Sequence, residues 1–148
     1  MAASGMRPVP QRAKGVMPDK VVFSIVESPL HPDFSALYRR LGLQEFRFGS
    51  MRKAIGALKS RTPDIVVAEF IYGYGNNYAG VNVCNLDVFL YSLQKYSSDS
   101  ALIVMVDKGE LQYVDRLSAL FPVDTVLQHP VRQQDMEHCL ENSMTSDK

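Results

Sequence analysis

Five short apolar runs, each followed by a segment of helical period, constrain what this chain can fold into. The runs are residues 21–26 (VVFSIV), 45–48 (EFRF), 64–68 (DIVVA), 101–106 (ALIVMV) and 125–127 (TVL). The first, third and fourth are nearly continuous and rich in β-branched side chains, the pattern of strands buried on both faces. Residues 45–48 alternate polar and apolar, as a more exposed strand does. Between the runs, apolar stripes recur at helical spacing. They are Phe34, Leu37, Tyr38 and Leu41; Met51, Ile55 and Leu58; Leu86, Phe89, Leu90 and Leu93; Leu111, Val114, Leu117 and Leu120; and Met136, Cys139 and Leu140. Pro32-Asp33 opens the first helix and Gly42 stops it, while Ser50 is placed to cap the second. Strict alternation of strand and helix implies βαβ crossovers. The expected fold class is therefore α/β, doubly wound, with a five-stranded parallel sheet covered on both faces. Functional groups of such sheets gather at the carboxyl ends of the strands.

The 148 residues correspond to one ordinary domain. Residues 1–19 hold three prolines and two glycines and no apolar period, so a disordered tail is expected there. Its opening MAASG reads as a vector-derived extension. A domain over residues 20–142 and a frayed end over 143–148 complete the expected organisation. Sixteen Lys and Arg balance sixteen Asp and Glu. A net charge of zero argues against a general nucleic-acid binder but leaves room for a local basic patch. No apolar stretch is long enough for a membrane span, and no apolar segment follows Arg7, Arg12 and Lys14 as in a secretory signal. Cys84 and Cys139 form no metal-ligand spacing, so two reduced thiols and a cytoplasmic location are expected.

Three stretches at the strand ends resemble the receiver domain of two-component response regulators, CheY-like proteins. Residues 62–69 (TPDIVVAE) resemble the family's third strand, which ends on the phospho-accepting aspartate. Residues 106–110 (VDKGE) resemble the turn after the fourth strand. Residues 123–131 (VDTVLQHPV) resemble the fifth strand and its Lys-Pro. The resemblance covers nearly all of residues 20–142 and implies the strand order 2-1-3-4-5.

The same resemblance marks departures at the phosphoacceptor pocket. The paired acids after the first strand become Glu27 and Ser28, and the acceptor becomes Glu69. The hydroxyl position carries Val106, the lysine position His129, with Pro130 kept, and the aromatic switch position Val126. Phosphoryl transfer in receivers needs Mg²⁺ held by several carboxylate oxygens. The resemblance therefore implies a degenerate pseudo-receiver that has lost this chemistry. Glu69 reads either as a mimic of a phosphorylated aspartate or as a plain carboxylate. His129 reads either as an ion-pair partner of Glu69 or as a neutral ring bonded to backbone. Glu27 and Glu69 are the weak candidates for a cation, and no metal, cofactor or catalytic residue is expected.

Asn85 stands 16 positions after Glu69, about twice the spacing that the resemblance implies. This insertion holds Tyr72, Tyr74, Asn76, Asn77 and Tyr78 among three glycines. It reads as a partner-binding loop, or as a long loop that folds its tyrosines over the pocket. It has no P-loop Lys-Ser/Thr and no helix-opening glycine fingerprint. An FMN site is excluded by the acid and prolines of residues 27–32, because proline lacks the N–H a phosphate needs.

The expected function is a non-enzymatic protein–protein interaction module in bacterial-type signalling, acting without phosphorylation. The resemblance implies contacts, including a homodimer, through the fourth helix, fifth strand and fifth helix, where Leu111, Val114 and Met136 stand either on the surface or in the core. Direct nucleic-acid or membrane contact is not expected. Two rivals stay open: an atypical phosphorylatable receiver, and a small ligand-binding or enzymatic module using the long loop.

Overall fold

The structure is a computed structural model that describes residues 20–27, 31–72, 86–97 and 99–145. Five parallel strands form one sheet in the order β2-β1-β3-β4-β5. The strands are β1 (Lys20–Ile25), β2 (Leu43–Phe48), β3 (Ile65–Glu69), β4 (Ala101–Val106) and β5 (Thr125–Gln128). The helices are α1 (Ser35–Arg40), α2 (Met51–Ala57), α3 (Asp87–Tyr96), α4 (Val114–Ser118) and α5 (Gln133–Thr145). The doubly wound parallel sheet expected from the alternating runs is thus the fold observed.

Side chains alternate across the sheet and split the core in two. Phe23, Ile25, Val66, Ala68, Val104 and Val106 pack with residues of α2, α3 and α4 on one face. Val22, Ile65, Val67, Ile103 and Met105 pack with residues of α1 and α5 on the other. All five residues of β3 are buried, which explains why residues 65–68 are apolar without alternation, and only its last residue, Glu69, is charged. At the edge, β5 shows only partial cover.

Local signals act where the sequence places them. Gly42 ends α1 at φ 80°, a left-handed conformation that side chains disfavour. Ser50 Oγ accepts the Lys53 N–H at 3.2 Å and caps α2. Helix α1 starts at Ser35 rather than at Pro32, because the Asp33 carboxylate accepts the Ser35 N–H at 2.9 Å. The stripe from Leu111 to Leu120 is not one helix. Lys108–Tyr113 form a 3₁₀ turn and only Val114–Ser118 are α-helical. Gly109 within that turn weakens an α-helix, and the tighter turn takes over. Helix α5 runs to Thr145, three residues past the expected boundary.

The two aspartates of the strand motifs have structural work at the amino ends of the sheet. Asp64 Oδ2 accepts the Val21 N–H at 2.8 Å, and Asp124 Oδ2 accepts the Leu102 N–H at 2.7 Å. Each satisfies a backbone donor at the start of a neighbouring strand. The sheet therefore begins in register at its amino end, and its carboxyl end presents the candidate site.

Candidate functional site

Glu69 ends β3, on the row that Ile65 and Val67 begin, and so points toward the α1 and α5 face. In the strand order 2-1-3-4-5, the crossovers diverge between β1 and β3 and open a crevice there. The Glu69 side chain fills it and is 5% exposed. Its Oε1 accepts the Glu27 N–H at 3.2 Å, which links the ends of β1 and β3. Two imidazoles flank the carboxylate. His31 Nδ1 stands 3.6 Å from Oε1, and His129 Nε2 stands 3.9 Å from Oε2.

The two histidines arrive from different elements. His129 follows β5, and its N–H donates to the Val106 carbonyl at 2.9 Å, which continues the β4–β5 ladder by one residue. The following His129–Pro130 peptide bond is cis. His31 lies between β1 and α1, and its side chain is 2% exposed. Among the described residues its Nδ1 finds no hydrogen-bond partner. The sequence marks this residue only as a ring between a leucine and a proline. Only the path of the chain from β1 to α1 brings it to the crevice.

The remaining expected site residues separate into groups. Val106 is fully buried in the core. Val126 faces outward and is 38% exposed, while Pro130 is exposed. Ser28 lies outside the described residues, as do Tyr74, Asn76, Asn77 and Tyr78. Among the described residues no group of three His, Cys, Asp or Glu stands in an arrangement that would hold a metal ion. Of the surface candidates, Val114 and Met136 are core residues, and Leu111 is exposed.

Tyr72 is the described residue of the tyrosine loop, and it is fastened to the neighbouring turn. Its ring stacks on Tyr113 with centroids 3.9 Å apart and planes 11° from parallel. Its N–H donates to Glu110 Oε1 at 3.1 Å, and its hydroxyl accepts from Arg116 Nη1 at 2.9 Å. Tyr72 is thus held against the 3₁₀ turn and α4.

A second polar cluster lies beneath α1. Ser24 Oγ and Ser35 Oγ each donate to Glu45 at 2.6 Å, one to each carboxylate oxygen. The Tyr38 hydroxyl is buried beside it with no hydrogen-bond partner among the described residues. Burial, with the nearby Glu45 charge, pushes the Tyr38 phenol well above its ordinary range.

No family model and no curated protein sequence matches the chain. Solved structures do match. The signal receiver domain of a putative LuxO repressor protein from Vibrio parahaemolyticus aligns with a TM-score of 0.63 at 13% identity, covering 86% of this chain and 91% of that one. A response regulator receiver protein from Sinorhizobium medicae aligns at 0.58 and 16% identity, covering 86% and 92%. An adenylate cyclase structure from Rhodopirellula baltica aligns at 0.63 and 13% identity, covering 86% and 88%. The strand order together with these likenesses defines the fold as that of receiver domains, the CheY-like branch of the doubly wound α/β proteins. Among the described residues no helix is long and apolar enough to cross a membrane.

Proposed function

We propose that this chain is a pseudo-receiver, a signalling module that works through protein contacts and carries no phosphoryl group. The observation that carries the proposal is the enclosure of Glu69. Its carboxylate is buried, engaged by the Glu27 N–H and flanked by His31 and His129. A phosphoacceptor must present a free oxygen in line with its donor, next to a Mg²⁺ that neutralises the transferring group. Val106 offers no hydroxyl to that group, and Val126 has no ring to couple the pocket to the surface.

Contacts run through the α4, β5 and α5 side and through the tyrosine loop, with homodimerisation as one use of the first. Leu111, Leu120 and Val126 are exposed large apolar residues in this half of the chain, and such residues anchor protein interfaces. The module is assigned no catalysis and a place in a cytoplasmic, bacterial-type regulatory system. Incubation with acetyl phosphate and Mg²⁺, followed by intact mass measurement, tests the reading. The expected mass is unchanged, and a stable gain of one phosphoryl group overturns it.

A further inference from the structure

Charge is distributed unevenly along this neutral chain. Residues 46–63 carry Arg47, Arg52, Lys53, Lys59 and Arg61 and not one acid, leaving the rest of the chain at −5. The fold gathers four of these cations on the outside of α2 and the turn that follows it. Ala54 and Leu58 face the core, whereas Arg52, Lys53, Lys59 and Arg61 are exposed. Arg47 sits apart, paired with Asp33 and Glu45. Among the described residues, none of the other four forms an ion pair. Arg61 instead lies over the Phe46 ring at 4.4 Å, which holds its guanidinium at the surface.

We infer that this face binds the phosphodiester backbone of nucleic acid, without reading its bases. Charge complementarity selects a polyanion, and the character of the face selects among polyanions. Protein interfaces need apolar or aromatic anchors at their centre. Among the described residues the exposed large apolar ones are Val88, Tyr91, Tyr96, Leu111, Leu120 and Val126, and none lies on α2 or its turn. What lies between the cations is small. Gly56 is exposed, and a Cβ added there would meet nothing within 4 Å. Phosphate contacts require only positioned cations and close approach. From Arg52 to Lys59 the helical rise is on the order of 10 Å, about three phosphates along one strand. This inference is independent of the protein-contact reading, which uses the opposite edge of the sheet.

Fluorescence anisotropy of the full chain with a labelled duplex of about 20 base pairs tests it, titrated from about 50 to 200 mM salt. Saturable binding is expected, with a slope of log K against log salt of about −3 to −4 for four phosphate contacts. The triple variant Arg52→Ala, Lys53→Ala and Lys59→Ala is expected to bind at least about tenfold more weakly, with a slope smaller by about three. These residues are exposed, so an unchanged circular dichroism spectrum and melting temperature will accompany the loss. Three results overturn the inference. One is no binding at the lowest salt. Another is equal binding by the triple variant, which would assign the contact to Arg7, Arg12 and Lys14. The third is equal competition by poly-glutamate, which would make the occupant an acidic polypeptide.

Discussion

His31 and Glu69 face each other at 3.6 Å from opposite sides of the β1–β3 crevice, with side chains only 2% and 5% exposed. The Glu69 carboxylate also accepts the Glu27 N–H, which His31 does not share. Removing the carboxylate strands a partly buried backbone donor, at a cost of about 1–3 kcal/mol. Glu69→Ala is therefore expected to lower the urea midpoint at constant slope by that amount. Glu69→Gln keeps an amide oxygen for the same N–H and is expected to lose less. Equal midpoints for the alanine variant and the parent protein would show that the carboxylate has no structural part.

The Tyr72–Tyr113 stack gives a second measurable coupling. Parallel rings at 3.9 Å interact beyond the area they bury, by about 0.5–1.5 kcal/mol in such pairs. A double-mutant cycle with Tyr72→Ala and Tyr113→Ala is expected to return a coupling of that order. Additive losses would mean that the two rings are held separately. The amide of Tyr72, bonded to Glu110, is expected to exchange faster in the Tyr113→Ala protein.

Acid dependence is expected at the α1–α5 contact. Arg40 holds Glu137 through two hydrogen bonds of 3.1 and 3.2 Å and keeps its carboxyl below the usual range. A carboxyl lowered in the folded state adds stability above its unfolded pKa and loses it as pH falls through the folded value. The melting temperatures of the parent and of Glu137→Gln are expected to differ at pH 7 and to converge on acidification. Arg40 is exposed and Glu137 partly exposed, so added salt is expected to narrow the gap as well. A gap that widens toward low pH would contradict this assignment.

Much of the fold was legible because its signals are local. The apolar runs located all five strands, Gly42 and Ser50 marked real ends, and the strand motifs resembled a receiver from end to end. The site was legible in part. Glu69 and His129 were expected together because the family's motif places their positions together. His31 was not, since nothing in its neighbourhood of prolines announces burial, and only the path from β1 to α1 carries it inward. Leu111, Val114 and Met136 show the same limit. Helical spacing put them on apolar stripes, but which face meets the sheet depends on packing, and Val114 and Met136 turned inward while Leu111 did not. Tyr38 is harder still, because a buried hydroxyl without a partner among the described residues breaks the rule by which sequence patterns are read.

The strand order has one more consequence. A doubly wound sheet creates an opening wherever its crossovers part, and in many proteins that opening is where a small molecule enters. Here an imidazole from the chain's own first connection stands in it against the Glu69 carboxylate. The doorway that comes free with this architecture is stoppered from within. Opening a pocket at this place would begin with withdrawing His31 from the Glu69 carboxylate.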